Sequence, residues 1–135
     1  MYEHILIPVT FDEACDTSAA IQAAKALCNE NARATFLHVV EPLPHYVDAH
    51  INITLEERSL PFLNDRLNKM AEQLPGATGV VTHGAAGREI VDWAANNGVD
   101  CIAISSHRPV FSDIFLGSTA AWVVRHAQCA VHVLR

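Results

Sequence analysis

The hydrophobic pattern of the chain alternates between short apolar runs and longer stretches with apolar residues at helical spacing. The short runs are rich in β-branched residues and predict strands over 2–9, 34–40, 78–83, 100–104 and 130–134. The longer stretches predict helices over 16–29, 54–74, 88–96 and 118–126. Because strands that alternate with helices are typical of βαβ units, we predict an α/β fold with a parallel sheet and helices on both faces.

The second predicted helix has two interpretations. Thr54 and Glu57 resemble a capping box, which favours a start at residue 54. Pro61 conflicts with this, so the helix either begins nearer Ser59, with the proline in its first turn, or kinks at Pro61. The preceding segment, 41–52, contains two prolines and is predicted to be a long loop.

Local signals mark the ends of two other helices. Asp16, Thr17 and Ser18 are candidate N-caps of the first helix. The glycine-rich segment 84–87 is predicted to be a tight turn that leads into the third helix, and Gly98 is predicted to end that helix.

Composition and charge narrow the class of protein. The chain has 135 residues, half of them apolar, which suits a single domain over 1–135 with a real core. Its net charge of −6 and its scattered lysines and arginines argue against a nucleic-acid-binding protein. No apolar run is long enough for a signal peptide or a membrane span, so we expect a cytoplasmic protein with no membrane partner.

The cysteines and histidines show no metal-binding spacing. None of the four cysteines forms a CxxC pair, and Cys101 and Cys129 lie in apolar runs, so we expect ordinary buried thiols. The eight histidines include no HxH or HxxxH pair, and we predict no metal-ligating residues.

Candidate binding residues follow the predicted strands at their carboxyl ends, which is where open α/β sheets bind ligands. Gly117 would let a ligand approach the backbone, and Ser118 and Thr119 offer hydroxyls at a helix start with unpaired amides. His107 and Arg108, after the fourth strand, could add donors and charge. Together they predict a cradle for an oligophosphate, although Gly-Ser before a helix is also an ordinary N-cap.

The chain resembles the universal stress protein family over nearly its whole length. The resemblance is carried by HILIPVTFDE, by ATFLHVVEPLP, and in the C-terminal half by SSHRP, LGSTAA and VVRHAQCAVHVLR. The Ser-His-Arg-Pro variant in SSHRP resembles that of a subgroup of short bacterial members. The family's nucleotide motif, Gly-x2-Gly-x9-Gly-Ser/Thr, is matched only in part. Gly117 and Ser118 fit its end, but Ser105 stands where the first glycine is expected, and the second glycine is replaced around His107. Thr10 stands where many members have Asp.

The resemblance implies a Rossmann-like, five-stranded parallel sheet in the order 3-2-1-4-5 and a ligand that is ATP or AMP, with bound magnesium left open. It also implies a role for each candidate residue. Val39 would touch the adenine, with plain core packing as the alternative for Val39 and for Val9. The implied contacts are Pro8, Val9 and Thr10 after the first strand, Val39 in the second, Ser105, Ser106, His107 and Arg108 facing ribose and phosphates, and Gly117, Ser118 and Thr119 holding the phosphates.

The family also pairs through its last strand, which implies a homodimer and leaves a tetramer open. An exposed apolar edge strand is prone to aggregate unless another part of the structure covers it. A second copy of the chain, a loop or a helix could cover this strand. We expect a sensor or regulatory module of the stress response that binds a nucleotide and acts on an unknown protein partner. Two alternatives remain, a nucleotide-free interaction module and a slow ATP hydrolase using His107 or His126. Because no G-x-S-x-G or P-loop motif occurs, no catalytic residues are predicted.

Overall fold

The computed structural model describes residues 1–10, 17–42, 59–106 and 117–135, and within these ranges strands and helices alternate as predicted. The strands are β1 (Tyr2–Pro8), β2 (Cys28–Val40), β3 (Ala77–His83), β4 (Cys101–Ser105) and β5 (Ala130–Leu134). The helices are α1 (Ser18–Leu27), α2 (Leu60–Ala71), α3 (Ala86–Asn96) and α4 (Ser118–His126).

The strands form one parallel sheet in the order β3-β2-β1-β4-β5, which confirms the predicted topology. Strands β2 and β3 lie on one side of the central β1, and β4 and β5 lie on the other. The direction of the winding therefore reverses between β1 and β4. In open α/β sheets this reversal opens a crevice at the carboxyl ends of the strands.

Alternate side chains of β1 enter two separate cores. Ile5 and Ile7 pack with buried residues of α1 and α2. Leu6 points the other way and packs with buried residues of α3 and α4. All three side chains are fully buried, as expected for the central strand of a sheet that is covered on both faces.

Strand β2 begins earlier than predicted, at Cys28 rather than at residue 34, and α1 ends at Leu27 rather than at residue 29. Cys28 is already extended, with ψ of 142°. The register against β1 shifts between the Tyr2–Cys28 and His4–Arg33 pairs. This irregular segment has no alternation of apolar and polar side chains, so the hydrophobic pattern gave no signal for a strand.

The observed starts of α2 and α3 can be compared with the predicted ones. Helix α2 begins at Leu60, with Ser59 as N-cap and a proline in the first turn. This matches the later of the two predicted starts, whereas residues 43–58 lie outside the described ranges. Helix α3 begins at Ala86, so the predicted turn over 84–87 was wrong in its second half, and Gly87 is helical. Gly84, with φ of +143°, supplies the turn itself.

The thiols of the described cysteines are shielded. Cys101 is 1% exposed, and burial raises its pKa to about 11. Cys28 and Cys129 are half-buried, and burial raises their pKa values as well. In the described ranges no group of His, Cys, Asp and Glu side chains could hold a metal ion, and no helix is long and apolar enough to cross a membrane.

Candidate functional site

The sequence-predicted residues that the structure describes lie at the carboxyl ends of β1, β2 and β4 and at the start of α4. His107 and Arg108 lie outside the described ranges. Pro8 ends β1 and is followed by Val9 and Thr10, Val39 lies near the end of β2, Ser105 ends β4 and is followed by Ser106, and Gly117 precedes Ser118 and Thr119 at the start of α4.

The exit from β1 is held by two hydrogen bonds to β2. The Val9 amide donates to the Leu37 carbonyl at 2.9 Å. The Val9 carbonyl accepts from Nδ1 of His38 at 3.0 Å. The Val9 side chain is buried in the core that α1 and α2 cover. Val39 is half-buried and packs on the opposite face of the sheet.

His38 is a residue of this region that the sequence reasoning missed. It is half-buried near the end of β2, and its ring reaches the chain that leaves β1. Burial lowers the pKa of His38, and the charge of Arg66 acts in the same direction, while the bond to the Val9 carbonyl opposes them. The available signal was a histidine inside the otherwise apolar run TFLHVV.

The exit from β4 is fixed to β5. The Ser106 amide donates to the Leu134 carbonyl at 2.8 Å, and the Ser106 hydroxyl donates to the same carbonyl at 3.2 Å. Ser106 is 8% exposed. The amide and the hydroxyl of Ser106 therefore both bind β5.

The start of α4 is open at the backbone. Gly117 is the N-cap, with φ of −57° and ψ of 150°, and no side chain of the described residues caps this helix. The Gly117 carbonyl accepts the first intrahelical bond, from the Ala121 amide at 2.8 Å. The amides of the first turn have no acceptor inside the helix. Ser118 is exposed and Thr119 is half-buried, so both hydroxyls stand beside those amides.

A cleft of about 530 Å³ opens between the end of β2 and the starts of α3 and α4. Of the sequence-predicted residues within the described ranges, it brings together Ser118 and Thr119, and the other described ones do not line it. Its lining also includes two residues that the sequence reasoning missed, Arg88 and Trp122. The lining residues are Glu41, Ala85, Ala86, Gly87, Arg88, Ser118, Thr119 and Trp122.

Comparison with known proteins agrees with this geometry. The family model described as "Universal stress protein family" matches residues 1–135. The chain belongs to the universal stress protein family. Universal stress protein A homolog 2 of Coxiella burnetii is 30% identical over 139 residues, which cover 99% of this chain and 95% of the relative. The universal stress protein UspA from Lactobacillus plantarum has a solved structure with a TM-score of 0.74 and 24% identity, covering 99% of this chain and 98% of that chain.

Two solved structures of the family contain nucleotides. A universal stress protein in complex with cAMP has a TM-score of 0.62 and 20% identity, covering 99% of this chain and 97% of that chain. An Arabidopsis thaliana family protein with AMP bound has a TM-score of 0.65 and 16% identity, covering 97% of this chain and 90% of that chain. These likenesses establish the shared fold of this universal stress protein and its neighbours.

Proposed function

We propose that this universal stress protein binds an adenine nucleotide, ATP or AMP, at the carboxyl end of its sheet and acts as a regulatory module of the stress response in the cytoplasm. The observation that carries the proposal is Gly117. Its φ of −57° is one that any residue adopts, and an added Cβ would lie 3.6 Å from the Ser106 carbonyl oxygen, which is ordinary contact. Packing against the described residues therefore does not require a glycine at the start of α4, whereas a ligand seated against the backbone does.

The residues at this edge suit a nucleotide phosphate. The uncapped amides of α4 and the hydroxyls of Ser118 and Thr119 are donors, and the helix dipole favours an anion at this end. Thr10, Val39 and Ser105 stand at the ends of the neighbouring strands, where base and ribose would lie. We include magnesium in the proposal because nucleotide phosphates hold it through their own oxygens. The family neighbours that contain AMP and cAMP support this ligand class.

The experiment is calorimetric titration of ATP and AMP into the wild type and Gly117→Val. A valine at this position would place two methyl groups where the phosphates would lie, so we expect at least a tenfold loss of affinity. Ala26→Val is the matched control, because it introduces the same residue at an exposed position in the last turn of α1. This turn directly precedes the start of β2 and therefore lies at the amino ends of the strands, away from the proposed site. It should bind both nucleotides as the wild type does.

Thermal unfolding measures the same event independently, since saturation at 100 times the dissociation constant stabilises a protein by about 2.7 kcal/mol. If the wild type binds neither nucleotide at millimolar concentration, the protein is instead a nucleotide-free interaction module. If Gly117→Val binds with unchanged affinity, the nucleotide lies elsewhere.

We further propose that the chain, as one domain over 1–135, forms a homodimer through β5 and presents a nucleotide-dependent surface to a protein partner. Strand β5 lies at the edge of the sheet, so its outer backbone groups have no neighbouring strand within the described part of the chain. Ala130 and His132 are exposed, and Val131 and Val133 are half-buried. Pairing of two β5 strands about a two-fold axis would cover this edge, and two such dimers could make a tetramer.

A further inference from the structure

We propose that the cleft between α3 and α4 is the polyphosphate half of the nucleotide site and that Arg88 binds the outer phosphate groups, which makes the ligand a nucleoside triphosphate rather than AMP. This inference rests on the proposed function. It adds a residue that no motif pointed to, and it assigns a second wall, contributed by α3, to a site otherwise built from strand ends and α4.

The cleft is continuous with the candidate phosphate cradle. Ser118 and Thr119, whose hydroxyls stand at the start of α4, also line the cleft. The wall opposite them consists of Ala85, Gly87 and Arg88 from the start of α3. A phosphate chain that begins at the α4 amides therefore extends toward Arg88. The volume of about 530 Å³ lies within the range of small-molecule sites.

The charge of Arg88 is available to an anion. Arg88 is exposed. Within the described ranges it makes no ion pair, unlike Lys69, which pairs with Asp65 at 3.3 Å. The neighbouring carboxylate of Glu89 lies against Gly84, where an added Cβ would be 2.9 Å from Oε1. Glu41 lines the β2 side of the same cleft. In a protein of net charge −6, such a guanidinium in a cleft is a local attractor for phosphate.

The two helix starts add to this charge. Among the residues that the structure describes, no side chain caps the first-turn amides of α3, which begins after Ala85, or of α4, which begins after Gly117. Both helix starts line the same cleft. Their partial positive charges therefore act on one volume together with Arg88, which suits several linked phosphate groups better than a single one.

The test compares ligands that differ only in phosphate number. Wild type, Arg88→Gln and Arg125→Gln are titrated by calorimetry with ATP, AMP and adenosine. Arg125 is an exposed arginine in the last turn of α4, outside the cleft, and is the matched control. We expect Arg88→Gln to bind ATP roughly tenfold more weakly, as loss of a charge-assisted contact predicts, with a smaller change for AMP and none for adenosine. Arg125→Gln should match the wild type for every ligand.

Trp122 reports on the location of the ligand. It lines the cleft with 39% of its surface exposed, and the chain has two tryptophans, so Trp93→Phe leaves Trp122 as the only one. ATP should protect Trp122 from acrylamide quenching in this variant, and adenosine should protect it less.

Each outcome separates the two proposals. ATP binding that is equally tight in Arg88→Gln, or that leaves Trp122 quenching unchanged, overturns the cleft assignment while the proposed function stands. Equal affinity of the wild type for ATP and AMP overturns the preference for the triphosphate. Absence of binding of ATP, AMP and adenosine to the wild type overturns the proposed function, and this inference with it.

Discussion

The contact between Gly87 of α3 and Trp122 of α4 leaves no room for a side chain on the glycine. An added Cβ would lie 2.5 Å from Cδ1 and 2.6 Å from Cγ of the indole ring. The ring itself is stacked on His126 one turn later, with centroids 3.8 Å apart, so a sideways movement would disturb that stack. Gly117 differs, because among the described residues an added Cβ there would meet the Ser106 carbonyl oxygen alone, at 3.6 Å.

We therefore predict opposite outcomes for the same substitution at the two glycines. Gly87→Ala gains up to about 1 kcal/mol of helix propensity but meets a clash of the kind that costs about 1–3 kcal/mol, so it should lower the free energy of unfolding. Gly117→Ala should change it by no more than about 0.5 kcal/mol, since the backbone angles suit alanine. Urea unfolding of both variants measures the difference. Equal stability of the two would contradict the Gly87–Trp122 contact, and adding Trp122→Leu to Gly87→Ala should recover part of the loss.

The hydrogen bond from His38 to the Val9 carbonyl gives a second prediction at the residue scale. His38→Leu leaves the partly buried carbonyl without this donor, which costs about 1 kcal/mol. His38→Asn should recover most of that loss, because its side-chain amide nitrogen takes the place of Nδ1. Chemical unfolding measures the stability, and ATP titration tests whether the chain after β1 keeps its position. A leucine variant as stable as the asparagine variant would show that the bond contributes nothing.

Some residues of the candidate site could be predicted from the sequence, and others become neighbours of the site only when the chain folds. Gly117, Ser118 and Thr119 follow from a general rule, since ligands of parallel sheets lie at the carboxyl ends of strands and at helix starts. His38 and Arg88 do not follow from it. The atom that Nδ1 of His38 contacts is a backbone oxygen 29 residues away, and the cleft of Arg88 exists only once α3 and α4 are packed together.

At the scale of elements, prediction succeeded where a run of apolar residues ends sharply. Helix α4 and strand β5 have the bounds that were predicted, because residues 117 and 130 begin clear changes of pattern. The start of β2 was not predictable, since the residues before 34 show no alternation of apolar and polar side chains. Their extended course exists only in the folded chain, where Cys28 pairs with Tyr2 of β1.

His4 joins three elements at the amino end of the sheet. Nδ1 of this β1 residue is 3.1 Å from the carbonyl oxygen of Asn97, which follows α3, and Nε2 is 2.9 Å from Oγ1 of Thr35 in β2. The Asp100 carboxylate accepts from the backbone amides of Glu3 and His4 at 2.9 and 3.0 Å. Because a carbonyl can only accept, Nδ1 carries the proton and Nε2 accepts from the threonine hydroxyl. The neutral ring is thereby fully hydrogen-bonded.

This buried ring predicts a loss of stability on mild acidification. Burial lowers the pKa of His4 below its ordinary 6.5, and the charge of Arg33 acts in the same direction, while the Asn97 bond and Asp100 oppose them. Below pH 6.5 the unfolded chain therefore takes up a proton that the folded chain resists, so stability is full above this pH and declines as the pH falls toward the folded pKa.

The measurement is urea unfolding between pH 7.5 and 5.5, a range above the ordinary pKa of carboxylates. The free energy of unfolding of His4→Gln should depend less on pH than that of the wild type. Part of the pH dependence should remain, because burial also lowers the pKa of His38. Identical pH profiles for the two proteins would show that His4 is not the group that titrates.

At the scale of the whole molecule, the backbone direction along β5 decides which groups face the open edge of the sheet. The Leu134 carbonyl accepts from the Ser106 amide and therefore faces β4. Because backbone groups alternate in direction along a strand, those of His132 also face β4, and those of Val131 and Val133 face outward. The proposed dimer would use these outward amides in its β5–β5 contact.

Proline substitutions in β5 can remove an outward-facing amide or an amide that faces β4, one at a time. Val133→Pro removes an outward donor and none of the bonds to β4, and proline is tolerated at edge positions of this kind. We expect it to convert the dimer to a monomer at micromolar concentration, as measured by sedimentation equilibrium, with a folded circular dichroism spectrum. His132→Pro removes a bond to β4 instead, so it should lower the free energy of unfolding of the subunit itself. A wild type that sediments as a monomer, or a Val133→Pro variant that remains dimeric, would mean that the edge strand is covered by something other than a second copy of the chain.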